Sequence, residues 1–318
     1  MKRGIALLVL GSLTMTGCVT TYKAGAPKGA VNVIAHRGAS AYAPENTLAA
    51  FELAIEQGAD WFELDCYLSK DGKLVISHDR DVERTTDGTG YVQDLTLAEL
   101  KALDAGSWFS PEFAGERMPT LGEALDLAKG RIGVYIEIKN SDDDKKLLND
   151  IIQLADSGDR RFSRAQRREM TRLIEASGSH NLELTREVIA QVRERDMKHQ
   201  VVIQSFTPIA CAVALEEAPE LRTEFLGGED KDDPGRWPLY LRWGHLIDAA
   251  GFNTSHESMS PERLAEFHAE GRSVAVWTVD DPADMRRFAA WGVDSIITNK
   301  PDVCVNELRA MGKRGPSR

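Results

Sequence analysis

Cysteine is scarce in this chain of 318 residues: Cys18, Cys66, Cys211 and Cys304, none in a C-x-x-C pair. That spacing excludes a zinc ribbon and a disulfide-built scaffold. Positive charge is also in deficit. Thirty-nine Lys and Arg face 50 Asp and Glu, for a net charge of −11, so the chain lacks the cationic excess of a general duplex nucleic-acid binder. A small phosphate ester is not excluded, because a metal or a few cations can invert the field at one site. No apolar run reaches the about 20 residues that cross a bilayer as a helix. There is no repeat of solenoid period, and no G-x-G-x-x-G follows the first strand candidate. What is present is a balanced globular composition, 42% hydrophobic and 28% charged, enough to bury a sizeable core.

The first 30 residues read as an address. Lys2 and Arg3 precede an apolar stretch from Ile5 to Leu13, followed by Met15-Thr16-Gly17-Cys18. This order predicts a signal peptide over residues 1–17. Gly17-Cys18 resembles the lipobox of bacterial lipoproteins, with Met15 where Leu is usual. That resemblance implies lipidation at Cys18 and a protein exported to the bacterial cell envelope, held on its membrane by the lipid. Cleavage before Cys18 removes two positive charges and takes the net charge from −11 to −13. Residues 18–30 then form a flexible tether.

Beyond it, short β-rich runs alternate with amphipathic helical ones. Strands are expected at 31–35, 61–68, 133–138, 201–205, 222–226, 246–252, 274–279 and 294–298. Helices are expected at 47–57, 121–128, 182–195, 209–217, 261–270 and 282–290. Alternation implies parallel pairing, since each return needs a crossover of a dozen or more residues. Eight strands over roughly 250 residues fit a (β/α)8 TIM barrel, here residues 31–305 with a tail at 306–318. An open doubly wound sheet is the alternative. A ninth strand, 73–77, follows Ser69-Lys70-Asp71-Gly72 too closely for a crossover. Asp-Gly there predicts a two-residue hairpin turn, pairing Lys70 with Lys73 and Asp65 with His78. Two connections are long. The third crossover, 140–200, is expected to supply rim helices, and 227–244, with Trp237, Tyr240 and Trp243, a lid.

Most of the conspicuous polar residues stand at or just after strand ends: His36-Arg37, His78-Asp79, Glu137 and Lys139, and Gln204, with Glu63 and Asp65 on the second strand. Parallel strands bring them to one mouth. Glu63, Asp65 and Glu137 would repel one another there unless a cation holds them, and their oxygens suit Mg2+ or Ca2+. Cys66 has the opposite parity and should face the helices. His36 and His78 are candidates for acid and base. Arg37 and Lys139 supply positive charge for a phosphoryl group. The set describes metal-assisted phosphoester cleavage better than glycoside hydrolysis. Phe206 and Trp277 either cap the core or wall the substrate. His180, His199, His245, His256 and His268 read as surface or structural residues.

Ile34-Ala35-His36-Arg37-Gly38, Pro44-Glu45-Asn46-Thr47, Phe62-Glu63-Leu64-Asp65, Ser77-His78-Asp79, Ile136-Glu137-Ile138-Lys139, Gln204-Ser205-Phe206, Trp277-Thr278-Val279-Asp280 and Thr298-Asn299-Lys300-Pro301 stand in an order that resembles the glycerophosphodiester phosphodiesterase family. The resemblance implies a TIM barrel with a small insertion after the second-strand hairpin, about 81–116. It implies one divalent cation on Glu63, Asp65 and Glu137, with His36 and His78 as acid–base pair. Arg37 and Lys139 would contact phosphate, Phe206 and Trp277 would line the substrate site, and Glu45 and Asn46 would support it. The substrate implied is a small glycerophosphodiester, split to sn-glycerol 3-phosphate and an alcohol. A lysophospholipase D or sphingomyelinase-D-like activity, with an acyl groove built from Trp237, Tyr240 and Trp243, is the enzymatic alternative. A non-catalytic envelope binding lipoprotein is the other.

Overall fold

The computed structural model describes residues 29–314. The expected signal peptide, Cys18 and most of the tether lie outside them. Nine strands run β1 (Asn32–Ala35), β2 (Trp61–Leu68), β3 (Leu74–Ile76), β4 (Gly133–Ile138), β5 (Val201–Ser205), β6 (Arg222–Gly227), β7 (Gly251–Ser255), β8 (Ser273–Trp277) and β9 (Ser295–Thr298). Eight of them pair in parallel, and β1 pairs with both β9 and β2, which closes the barrel. The open-sheet alternative is thereby excluded. β3 hangs antiparallel on the upper part of β2.

Eleven α-helices accompany them among the described residues: α1 (Leu48–Glu56), α2 (Leu97–Ala102), α3 (Leu121–Ala128), α4 (Lys145–Ile152), α5 (Arg164–Ser177), α6 (His180–Glu194), α7 (Pro208–Glu217), α8 (Arg236–Leu246), α9 (Pro261–Ala269), α10 (Pro282–Trp291) and α11 (Pro301–Ala310). Their starts are set by local chemistry. Thr47, Thr120, Ser163, Ser260 and Asp281 accept backbone N–H groups at N-caps, and Pro opens α7, α9, α10 and α11, where its missing donor costs nothing.

Parity along β2 builds two cores. Phe62, Leu64 and Cys66 face outward into a cluster with α1, α3 and α6. Trp61 faces inward with Ile34, Tyr135, Val202, Ala275 and Ile297. The expected outward direction of Cys66 holds, and Cys66, Cys211 and Cys304 are buried free thiols. The insertion between β3 and α3 carries α2 and has its own small core, in which Val82, Val92, Leu100 and Ala105 pack on Tyr67 and Val75.

Four expectations need correction. The hairpin register is Cys66↔Ile76, Tyr67↔Val75 and Leu68↔Leu74, one residue off. Lys70, Asp71 and Gly72 form a three-residue turn, with Gly72 in the left-handed region at φ 70 and its N–H on the Ser69 carbonyl. Asp71 is engaged elsewhere, accepting from the Leu97 N–H and the Ser69 hydroxyl, so Asp-Gly is not the two-residue turn. Second, β7 begins at Gly251; the apolar residues before it close α8, with Leu246 and Ile247 buried, and a short apolar run alone cannot distinguish the two.

Third, the aromatic half of 227–244 is no lid. It holds α8, a barrel helix, with Tyr240 and Trp243 each 5% exposed and Trp237 packed beside them, so these rings are core rather than acyl groove. The long third crossover likewise lies on the flank. Leu147, Ile151, Phe162, Met170 and Ile174 of α4, α5 and their link share a core with α7 and α8 residues. Fourth, the barrel does not end at 305. α11 runs to Ala310 with Leu308 buried, and the Lys313 carbonyl accepts from the Val31 N–H.

Candidate active site

The turn after β1 is the most constrained part of the mouth. The His36 backbone N–H donates to the Thr298 carbonyl, and the Arg37 carbonyl accepts from the Asn46 N–H. The Arg37 N–H donates to Glu63 Oε2 at 2.9 Å. Arg37 itself sits at φ 55. Gly38 follows at φ 81, and a Cβ there would lie 2.6–2.7 Å from Ala50, so only glycine fits.

This turn delivers His36 to the cavity. Its Nδ1 lies 2.8 Å from Asn299 Oδ1. Asn299 is oriented in turn, because its Nδ2 donates to Asp280 Oδ2 at 2.6 Å and its Oδ1 also accepts from the Ser40 hydroxyl. The amide oxygen therefore faces His36, Nδ1 carries the proton, and Nε2 keeps a lone pair. Burial, then the Arg37 charge, lowers the His36 pKa to about 4. His78 Nδ1 instead meets the Asp79 carboxylate at 2.7 Å, which Arg84 holds from its other side. Burial lowers the His78 pKa as well, while Asp65 and Asp79 oppose the shift.

The three carboxylates converge through the sheet. Asp65 and Glu137 are Cα partners across β2 and β4, and Glu63 stands one inward position below Asp65. One ligand oxygen from each lies within 4.8 Å of the others, all three side chains being buried. Burial and the Asp65 charge raise Glu63 well above the ordinary range and Glu137 to about 7. Burial alone would raise Asp65 too, but Lys139 and Arg37 hold it below its usual value. Lys139 Nζ is 2.7 Å from Glu137 and 3.3 Å from Asp65 Oδ1, an oxygen that is buried and has no hydrogen bond. Hard oxygen donors, mutual repulsion and an underused carboxylate oxygen fit a divalent cation.

A cavity of about 120 Å³ gathers His36, Arg37, Glu63, His78, Glu137 and Gln204 on its polar side and Phe206, Leu226, Trp277 and Ile297 on its apolar side. Phe206 and Trp277 meet edge to face at 5.6 Å, and the indole Nε1 donates to the Asn253 carbonyl. The sequence matches the glycerophosphoryl diester phosphodiesterase family over residues 36–303. The chain belongs to that family. A glycerophosphodiester phosphodiesterase of Caldanaerobacter subterraneus is 35% identical over 88% of this chain and 98% of its own length, and one of Bacillus subtilis is 32% identical over 95% and 96%. Among solved structures, an Oleispira antarctica phosphodiesterase in complex with the product sn-glycerol-3-phosphate superposes with a TM-score of 0.68 at 27% identity, over 89% of this chain and 98% of that one.

In this phosphodiesterase the structure brings His36, Arg37, Glu63, His78, Glu137, Phe206 and Trp277 to one cavity. Two expected residues stand directly behind its lining, in contact with the carboxylates. Asp65 lies beneath, held by Asn46 Nδ2 at 2.8 Å, and Lys139 lines a neighbouring cavity. Both expected phosphate cations also have carboxylate partners: Lys139 as above, and Arg37 on Glu45 at 2.8 Å. The shifted hairpin register does not misplace His78. Ser77, not His78, faces Asp65 across the ladder, and His78 reaches the mouth because it lies beyond the last paired residue. Sequence reasoning assigned no role to Asn299, Asp280 or Arg84. Asn299 and Asp280 sit in motifs that carry the family resemblance, but nothing in the order of residues tells that the ends of β8 and β9 converge on His36.

Proposed function

We propose that this enzyme hydrolyses glycerophosphodiesters to sn-glycerol 3-phosphate and an alcohol, with Glu63, Asp65 and Glu137 holding one divalent cation, Mg2+ or Ca2+. The observation that carries the reading is the pair of differently partnered histidines in one cavity with the carboxylates. His36, kept neutral by burial and tautomerically fixed by Asn299, is suited to take a proton from the attacking hydroxyl at Nε2. His78, backed by the Asp79 carboxylate that an imidazolium needs, is suited to give a proton to the leaving alkoxide. Arg37 is placed to face charge gathering on the phosphoryl oxygens. Phe206 and Trp277 give the carbon skeleton an apolar wall. A bound divalent cation supplies charge neutralisation at the phosphoryl group and a more acidic attacking hydroxyl. The product named for the Oleispira phosphodiesterase supports the glycerol 3-phosphate half of this reading.

The test is release of sn-glycerol 3-phosphate from glycerophosphocholine by the mature domain. Chelation is expected to abolish it and Mg2+ or Ca2+ to restore it. His36→Ala and His78→Ala each lower kcat by about 100-fold or more. Full turnover in chelator, or in either variant, removes that element of the mechanism. The acyl-chain alternative has lost the aromatic groove it relied on. From the N-terminal pattern we further propose export and lipid anchoring at Cys18 in the bacterial envelope.

A further inference from the structure

A second cavity opens beside the first. It is larger, about 590 Å³, and more open to solvent, and its walls come from β2, the hairpin exit, the insertion and the end of β4: Tyr67, His78, Tyr91 and Gln93, with the charged Asp79, Arg80, Asp81 and Lys139. Among the described residues, His78 alone lies on both walls. Resting on the function proposed above, we propose that this cavity receives the alcohol arm of the diester, and that the insertion residues Tyr91 and Gln93 set the preference for a small polar alcohol.

Three observations carry it. The first is topological. A phosphodiester has two arms, and two cavities meet here, the smaller of about 120 Å³ carrying Arg37, Glu63 and Glu137 beside an apolar wall. The scissile bond must then lie where the two spaces meet, and the group at that junction is His78, which is positioned to protonate the alkoxide that departs into the second space. The second is chemical. The smaller cavity has an apolar wall of Phe206, Leu226, Trp277 and Ile297, whereas the larger one is walled by two phenol rings with hydroxyl, amide and charged groups. An acyl chain would lie against charged and amide groups there, while a hydroxylated or amino alcohol finds donors, acceptors and two phenol rings. The third is the state of the charged groups. Lys139 is spent on Glu137 and Asp65, Asp79 on His78 and Arg84, and Arg80 donates to the Ser141 carbonyl at 2.8 Å. Asp81 accepts from the Glu83 N–H. Tyr91, 54% exposed, and Gln93 line the cavity from the insertion side. Both flank Val92, whose side chain anchors the insertion core, so a rigid segment presents them.

The experiment compares wild type with Tyr91→Ala and Gln93→Trp, the second filling the cavity. Both changes are at exposed side chains and leave the insertion core intact, which a thermal melt of each variant verifies. Measured are kcat and KM for glycerophosphocholine and glycerophosphoethanolamine, and the inhibition constant of sn-glycerol 3-phosphate, which on this proposal occupies the smaller cavity and not the larger one. The expected result is that kcat/KM falls about tenfold in Gln93→Trp, with a different ratio between the two diesters in Tyr91→Ala. The product inhibition constant stays within about twofold. Three results overturn the proposal: diester and product affinities that move together, kinetics unchanged in both variants, or lysophosphatidylcholine cleaved by wild type as well as glycerophosphocholine. Failure of the underlying function looks different, since wild type would then release sn-glycerol 3-phosphate from no diester with any metal.

Discussion

His36 carries two consequences of its surroundings that can be measured separately. Its folded-state pKa is about 4 against an ordinary 6.5, so between those values the unfolded chain binds the extra proton. Stability contributed by the neutral ring is present above pH 6.5 and is lost as pH falls toward 4, by about 3 kcal/mol in all. Urea unfolding of chelated wild type and His36→Gln at pH 7 and pH 4 should show this extra loss in wild type alone; equal losses would contradict it. The second consequence concerns Asn299, a positioning residue. Asn299→Ala removes the acceptor that fixes the proton on Nδ1, and kcat is expected to fall about tenfold or more with KM little changed. Nitrogen NMR of the ring should show a mixed tautomer in the variant, and an unaltered Nδ1–H tautomer with full kcat would leave Asn299 without this role.

Among elements, two turns show why similar glycines differ in consequence. Gly72 closes the hairpin at φ 70 with nothing within 4 Å of where a Cβ would stand, whereas Gly38 at φ 81 lies against the backbone of Ala50. Gly72→Ala is expected to cost about 1 kcal/mol, the strain of a left-handed alanine. Gly38→Ala adds a clash with helix α1 and is expected to cost about 3 kcal/mol or more, together with activity, because Arg37 and Glu63 are tied through that turn. Chemical denaturation of the two variants checks the order; a Gly38→Ala protein as stable as Gly72→Ala would show that the turn relaxes. The same scale explains the shifted register. Asp-Gly is a two-residue turn signal when both residues are free, but Asp71 is recruited by the N-terminus of α2, a partner 26 residues away.

For the whole molecule, the prediction concerns attachment. No helix among the described residues is long and apolar enough to cross a membrane. The proposed anchorage rests on the N-terminal pattern that ends at Cys18. Expressed in a bacterium that processes lipoproteins, the wild type should take up labelled palmitate and sediment with membranes, and Cys18→Ser should do neither. Membrane association retained in full by Cys18→Ser would refute a lipid anchor. The additional helices α4 and α5 enlarge the flank shared with α7 and α8 and leave the mouth to the hairpin insertion.

Alternation of strand and helix, inward and outward parity along β2, and the polar residues at strand ends were legible in the sequence, because each follows from a local period or from the direction of a parallel strand. The strands at 61–68, 133–138 and 201–205 stand where their β-rich runs placed them, and the carboxylate cluster was readable from strand ends and parity. The family motifs supplied the roles proposed for them. Tertiary structure decided what depends on distant partners: the hairpin register through Asp71, the identity of 236–246 as a core helix rather than a lid, the commitment of Arg37 and Lys139 to carboxylates, and the Asp280–Asn299–His36 relay. Most of these are contacts between segments far apart in the chain. No local period encodes them, because closure of the barrel, not chain order, makes those residues neighbours.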